Sequence, residues 1–89
     1  MTRLTIYSRP GCHLCEEMKT VVSDVVTGMP MGTIVVEEID ISGDAGLERM
    51  YGGEIPVLLI DGSKAAKYRI TAGELKRRLG LERFAIGDP

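Results

Sequence analysis

The chain has 89 residues, 44% of them apolar and 27% charged, with a formal net charge of −2. That suffices for one domain with a modest core, and the charge gives no general attraction to nucleic acid. No apolar run approaches the roughly 20 residues that cross a bilayer as a helix, so no membrane span is expected.

Arg3 to Tyr7, dense in β-formers, predicts a short buried strand. Ser8-Arg9-Pro10-Gly11 is turn chemistry that stops it. From Leu14 onward, Leu14, Met18, Val21, Val22, Val25 and Val26 fall on one helical stripe, with Lys19, Thr20, Ser23 and Asp24 opposite. The valines are mediocre helix formers, so this helix depends on packing. Gly28 and Pro30 end it. Thr33 to Ile39 predicts a second strand, whose paired Glu37 and Glu38 suit a sheet edge or a wet face.

Ser42 is the predicted cap of a short helix reaching about Tyr51, with Leu47 and Met50 facing inward; Gly52-Gly53 ends it. Gly43 and Gly46 make this the weakest element. Val57 to Ile60 is all-apolar, which predicts a strand buried on both faces. Asp61-Gly62 marks a hairpin, with Ser63-Lys64 expected to lengthen its turn and Ala65 to Ile70 to form the returning strand. Thr71-Ala72-Gly73-Glu74 reads as a reciprocal capping box. The last helix then runs to Leu79, with Gly80 as its stop.

The order β-α-β-α-β-β-α places this chain among α/β folds. A helical crossover makes the first two strands parallel, and a tight turn makes the last two antiparallel. The expected architecture is a four-stranded mixed sheet flanked by three helices, in a single domain over residues 1–83 with a tail over 84–89.

Cys12-His13-Leu14-Cys15 carries the chemistry. These are the only two cysteines, three positions apart at a strand-to-helix turn. A helix N-terminus offers unpaired N–H groups and the positive end of the dipole, both of which favour a thiolate. Cys12 falls at or near the cap and faces outward, and Cys15 lies one turn on and is more enclosed. That inequality suits a two-step exchange in which Cys12 attacks a disulfide and Cys15 resolves the mixed disulfide. His13, when protonated, and Arg9 are cations placed to act on Cys12, and Arg9 could also hold a substrate carboxylate.

Structural zinc wants about four Cys or His ligands, and the chain offers two cysteines and one adjacent histidine. A metal or iron–sulfur cluster would therefore have to bridge two chains. No basic start followed by a long apolar stretch precedes the domain, which points to a reducing cytoplasm and a catalytic rather than a structural cysteine pair. Residues 64–83 hold seven of the eleven basic groups against two acids, Glu74 and Glu82. The simple reading is a solvated last helix with a basic face, and the alternative is a patch for an acidic partner.

The stretch Tyr7-Ser8-Arg9-Pro10-Gly11-Cys12-His13-Leu14-Cys15 resembles the active-site segment of dithiol glutaredoxins, which read Tyr-Ser-Lys-Pro-x-Cys-Pro-Tyr-Cys. The Cys-His-Leu-Cys-Glu-Glu form is similar to a group of small bacterial and archaeal glutaredoxin-like proteins. The resemblance implies a thioredoxin-like fold, a redox-active Cys12/Cys15 pair and a cis Ile55–Pro56 bond opposite it. It also implies that the backbone of Ile55 pairs with a bound thiol substrate. Two departures stand out. Glu54-Ile55-Pro56 replaces the usual Thr-Val-Pro, and Tyr68-Arg69-Ile70-Thr71 replaces the Gly-Gly and aspartate that hold glutathione. Glutathione is then one reductant among several the sequence allows, and no bound cofactor is expected.

The expected function is a monomeric cytoplasmic thiol–disulfide oxidoreductase, reducing protein or small-molecule disulfides at the expense of an unidentified reductant. Two alternatives compete with it: a redox-switched interaction domain, and a metal or iron–sulfur module shared by two chains.

Overall fold

The computed structural model describes residues 2–80. The elements run β1 Thr2–Ser8, α1 His13–Thr27, β2 Ile34–Asp40, α2 Ala45–Tyr51, β3 Val57–Ile60, β4 Ser63–Lys67 and α3 Ala72–Leu79. The sheet order is β2-β1-β3-β4. β1 pairs with β2 in parallel, from Thr2 opposite Ile34 to Ser8 opposite Asp40. β3 is antiparallel to both β1 and β4. The fold is thioredoxin-like, as expected, and β2 with its glutamates is an edge strand. The expected tail over 84–89, and the Glu82 and Arg83 charges, lie outside the described residues.

The sheet separates two layers. Leu4 and Ile6 of β1 and Leu58 of β3 point to one face. There they meet Met18, Val22 and Val25 of α1 and Leu75 of α3, all buried. The α1 side chains recur every three or four residues, so one stripe of the helix seals the core. Each fully buried side chain of this size contributes about 1.5–3 kcal/mol. Alternation along the strand sends Tyr7 to the other face, where its ring stacks on Tyr51 of α2 with centroids 4.4 Å apart.

Several boundaries differ from expectation, each for a local reason. The cap of α2 is Asp44, not Ser42: its carboxylate accepts the Leu47 N–H at 3.0 Å, while Ser42 bonds back to Asp40. Met50 faces solvent rather than the core, and Leu47 is half-buried. The β3–β4 turn is not lengthened, because Asp61 (φ 49°) and Gly62 (φ 86°) both take positive φ and close a two-residue hairpin directly onto Ser63. The Asp61 carboxylate also accepts the Arg3 N–H at 2.9 Å, fastening the turn to β1.

β4 stops at Lys67 rather than Ile70, since Tyr68 turns to φ 68°. Ala65 is an extra residue between the pairs Leu58–Ala66 and Leu59–Lys64, which makes a bulge. Only Val57 and Leu58 of β3 are buried; Leu59 and Ile60 are half-buried. At α3 the Thr71 hydroxyl accepts the Glu74 N–H at 3.0 Å, but Glu74 does not reach back. Its carboxylate takes Arg77 and Arg78 instead, each at 3.1 Å.

Candidate active site

The ends of three strands converge on one edge of the sheet. β1 delivers Ser8 and then the loop Arg9-Pro10-Gly11. Val57, the first residue of β3, pairs with Tyr7 and with Lys67, so Pro56 and the segment after β4 lie at the same end as that loop. Gly11 turns at φ 80°, which a side chain resists, and the chain then enters α1. Ligand sites in open α/β sheets favour this position beyond the strand ends.

Cys12 is the N-cap of α1. Its N–H bonds the Arg9 carbonyl at 3.3 Å, and its own carbonyl accepts the Glu16 N–H at 3.1 Å, the first bond of the helix. Its Sγ accepts the Cys15 N–H at 3.1 Å, as a serine oxygen would at a cap. Cys12 and Cys15 are joined by a disulfide with Cα atoms 5.2 Å apart, an ordinary separation for such a bond. The two sulfurs are unequally placed. Cys12 is partly exposed, whereas Cys15 is only 1% exposed and belongs to the buried stripe of α1.

The other expected site residues divide. His13 is the first residue of the helix and is exposed beside Cys12. Pro56 is buried, follows a cis peptide bond, and its carbonyl accepts the Tyr68 N–H at 2.8 Å; Ile55 is half-buried. Arg9, expected as a cation for Cys12 or for a substrate carboxylate, is half-buried in the loop before α1. Its guanidinium is held by Glu48 of α2 in a hydrogen-bonded ion pair.

Next to the dithiol, a groove of about 400 Å³ runs between α1 and the segment joining β4 to α3. Leu14, Met18 and Val21 form one wall, and Tyr68, Arg69 and Thr71 stand across from them. Leu14 lies inside the Cys-x-x-Cys motif, so the groove and the sulfurs share a helix turn. The basic stretch that follows is largely compensated within the chain. Lys64 and Lys67 pair with Glu54 at 2.6 and 3.7 Å, and Arg77 and Arg78 with Glu74.

Sequence reasoning missed the polar support of the loop. The buried Ser8 hydroxyl donates to Glu38 at 2.9 Å, and Lys19 bridges Glu38 at 3.0 Å and Glu16 at 2.8 Å. The Lys19 and Ser8 donors hold the Glu38 carboxyl below its ordinary value of 4.5. On the other face, burial beside Tyr51 pushes the Tyr7 phenol above its usual 10.0. Glu48 was missed as well: a glutamate in a weak helix carries no signal that it will face a loop 39 residues earlier.

Residues 3–80 match the family described as glutaredoxin-like domain (DUF836). The chain belongs to this glutaredoxin-like family. It is 26% identical to the Mycobacterium tuberculosis protein Rv0508 across 98% of its own length and 90% of that protein's. It is also 29% identical, over 81% of its length and 69% of the relative's, to the glutaredoxin-like protein YDR286C homolog of Dictyostelium discoideum. Among solved structures, the X. campestris protein XcR50 superposes with a TM-score of 0.72 at 29% identity, covering 86% of this chain and 95% of that one. Chloroplastic thioredoxin z gives the same TM-score at 17% identity over 90% and 76% of the two chains, a likeness of fold alone. Among the described residues of this glutaredoxin-like protein, no helix is long and apolar enough to cross a membrane.

Proposed function

We propose that the protein is a thiol–disulfide oxidoreductase that reduces protein or small-molecule disulfides with Cys12 as nucleophile and Cys15 as resolving thiol. One observation carries the reading: the Cys12 sulfur is a helix cap that accepts the Cys15 N–H, and it is partly exposed while the Cys15 sulfur is buried. In the reduced protein the same N–H and the positive end of α1 stabilise a Cys12 thiolate. Burial works against charge on Cys15 and keeps that thiol protonated for longer.

The thiolate attacks one sulfur of the substrate disulfide. A Cys12–substrate bond forms, and the other substrate sulfur leaves as a thiolate that takes up a proton. Cys15 then gives up its proton and attacks the Cys12 sulfur. The Cys12–Cys15 bond forms, and the second substrate sulfur departs with the electron pair of the broken bond. Two electrons have moved from the dithiol to the substrate, and the disulfide form described above is the product state. An external thiol donor must return two electrons for another turnover.

The groove beside Leu14 is where the rest of a substrate would lie, and the backbone of Ile55 would pair with it. The reading is tested by turnover of a disulfide substrate with a thiol reductant. Cys12→Ser is expected to abolish turnover, and Cys15→Ser to accumulate a mixed disulfide on Cys12 that intact mass detects. Undiminished turnover in Cys12→Ser would sink the proposal.

A further inference from the structure

The helix α2 buries none of its seven residues, yet it is seated against the dithiol loop. Tyr7 lies in β1 and Arg9 just past its end, and both side chains reach the same helix, α2. Tyr51 and Glu48 are three apart on α2 and share one helix face. Each meets its counterpart: ring on ring for Tyr7 and Tyr51, guanidinium on carboxylate for Arg9 and Glu48.

Gly52 shows how closely this corner is packed. A Cβ built there would lie 2.5 Å from the Glu48 carbonyl oxygen, 2.9 Å from its Oε1 and 3.4 Å from the Arg9 guanidinium. Only a residue without a side chain lets the helix end pass beside the ion pair. The pair in turn reaches the sulfur by a short route, because the Arg9 carbonyl accepts the Cys12 N–H.

We propose that Glu48 is a positioning residue for Cys12 that acts through Arg9, holding the loop in place and masking the cation three residues before the nucleophile. This rests on Cys12 being the attacking thiol. It adds an electrostatic control to that role: α2 withholds positive charge from a sulfur that the α1 dipole already activates. A change that displaces Glu48 exposes Arg9 to Cys12 and makes the thiolate more stable. A more stable thiolate also makes the dithiol form more favourable and the disulfide more oxidising.

The signs separate this from a purely structural role. Glu48→Gln removes a negative charge, leaves Arg9 without its ion-pair partner while the Asp40 carboxylate stays in its field, and lowers the pH midpoint of Cys12 alkylation. Arg9→Gln leaves Glu48 uncovered and raises it. The double variant returns near the wild-type midpoint. For unit charges a few residues away in a wet site, each shift is about 0.3 pH unit or more. A loosened loop would move both single variants the same way. The other charged groups around the dithiol and Arg9, namely His13, Glu16, Glu17 and Lys19 on α1, Glu38 and Asp40 on β2, and Arg69 and Glu74 across the groove, are the same in all four proteins.

The test is alkylation of the reduced full chain from pH 4 to 10, with the labelled cysteine identified by peptide mapping. The disulfide potential is measured in parallel against glutathione buffers. Gly52→Ala is a second probe, crowding the pair without altering any charge; it is expected to move the midpoint in the direction of Glu48→Gln. Opposite shifts in the two single variants, cancelling in the double, support the proposal. Midpoints that stay together, or shift in one direction for both, overturn it while leaving Cys12 as nucleophile. Label that falls first on Cys15 overturns the functional reading itself.

Discussion

At the residue scale, one hydrogen bond separates two otherwise identical side chains. Cys12 caps a helix and accepts an N–H from Cys15, while Cys15 is buried on α1, as Met18 and Val22 are. The same stretch contains a second polar arrangement with a pH signature. Glu38 is held by Lys19 and the buried Ser8 hydroxyl, and its folded value lies below its unfolded one. Its stabilisation is therefore complete above the unfolded carboxylate range and disappears as pH falls through the folded value. Glu38→Gln is expected to lower the urea midpoint slightly at pH 7, since the carboxylate is 44% exposed. The gap from wild type should narrow as pH falls through the depressed folded value and vanish below it, where both proteins carry a neutral group. A gap that persists at low pH would show that the amide fails for reasons other than charge.

At the element scale, the chain declared its regular pieces more clearly than their ends. The apolar stripe of α1, the Asp61-Gly62 turn and the Thr71 cap are local signals, and each lies where its residues indicate. The Cys12/Cys15 pair was legible for the same reason, since the motif is read within a few residues, whereas the cis bond at Pro56 was expected only through the resemblance. The α2 cap was not, because Asp40, Ser42 and Asp44 are all competent caps and the choice is made by Gly43 turning to φ 88° between them. The end of β4 was hidden too, since Tyr68 leaves the strand to donate its hydroxyl to the Gly53 carbonyl at 2.9 Å. Partners far along the chain, Glu48 for Arg9 and Tyr51 for Tyr7, have no local signal at all.

The last helix offers a direct test at this scale. Thr71 satisfies the Glu74 N–H, and Gly80 closes the other end in the left-handed region at φ 79°. Thr71→Ala should cost about 1 kcal/mol in urea unfolding, with the m value unchanged. Thr71→Ser should recover most of that loss, because the hydroxyl is what the helix uses. Equal losses in both variants would mean the capping bond is not the source of the effect.

At the scale of the whole molecule, one core layer between the sheet and the α1/α3 pair holds the site in place. Leu58 is wholly buried at its centre, and it lies two residues after Pro56, at the end of β3 that shares its edge of the sheet with the dithiol loop. Leu58→Ala is expected to destabilise the fold by about 2–5 kcal/mol, a large fraction of what a domain this size possesses. Circular dichroism during urea titration would measure it. A loss under about 1 kcal/mol would mean that this layer is not the common support of the sheet and both helices.

That support matters because the chemistry depends on geometry rather than on unusual residues. A thiol at the tip of α1 and another one turn inside it differ only in what the fold puts around them. The decisive measurement is the pH dependence of alkylation at each cysteine in the reduced protein, compared with the same chain unfolded in urea. Cys12 should react with a midpoint below the roughly 8.5 of an unstructured thiol, and Cys15 should not. Should both midpoints coincide with those of the unfolded chain, the helix cap would confer no advantage and the proposed order of attack would have no physical basis.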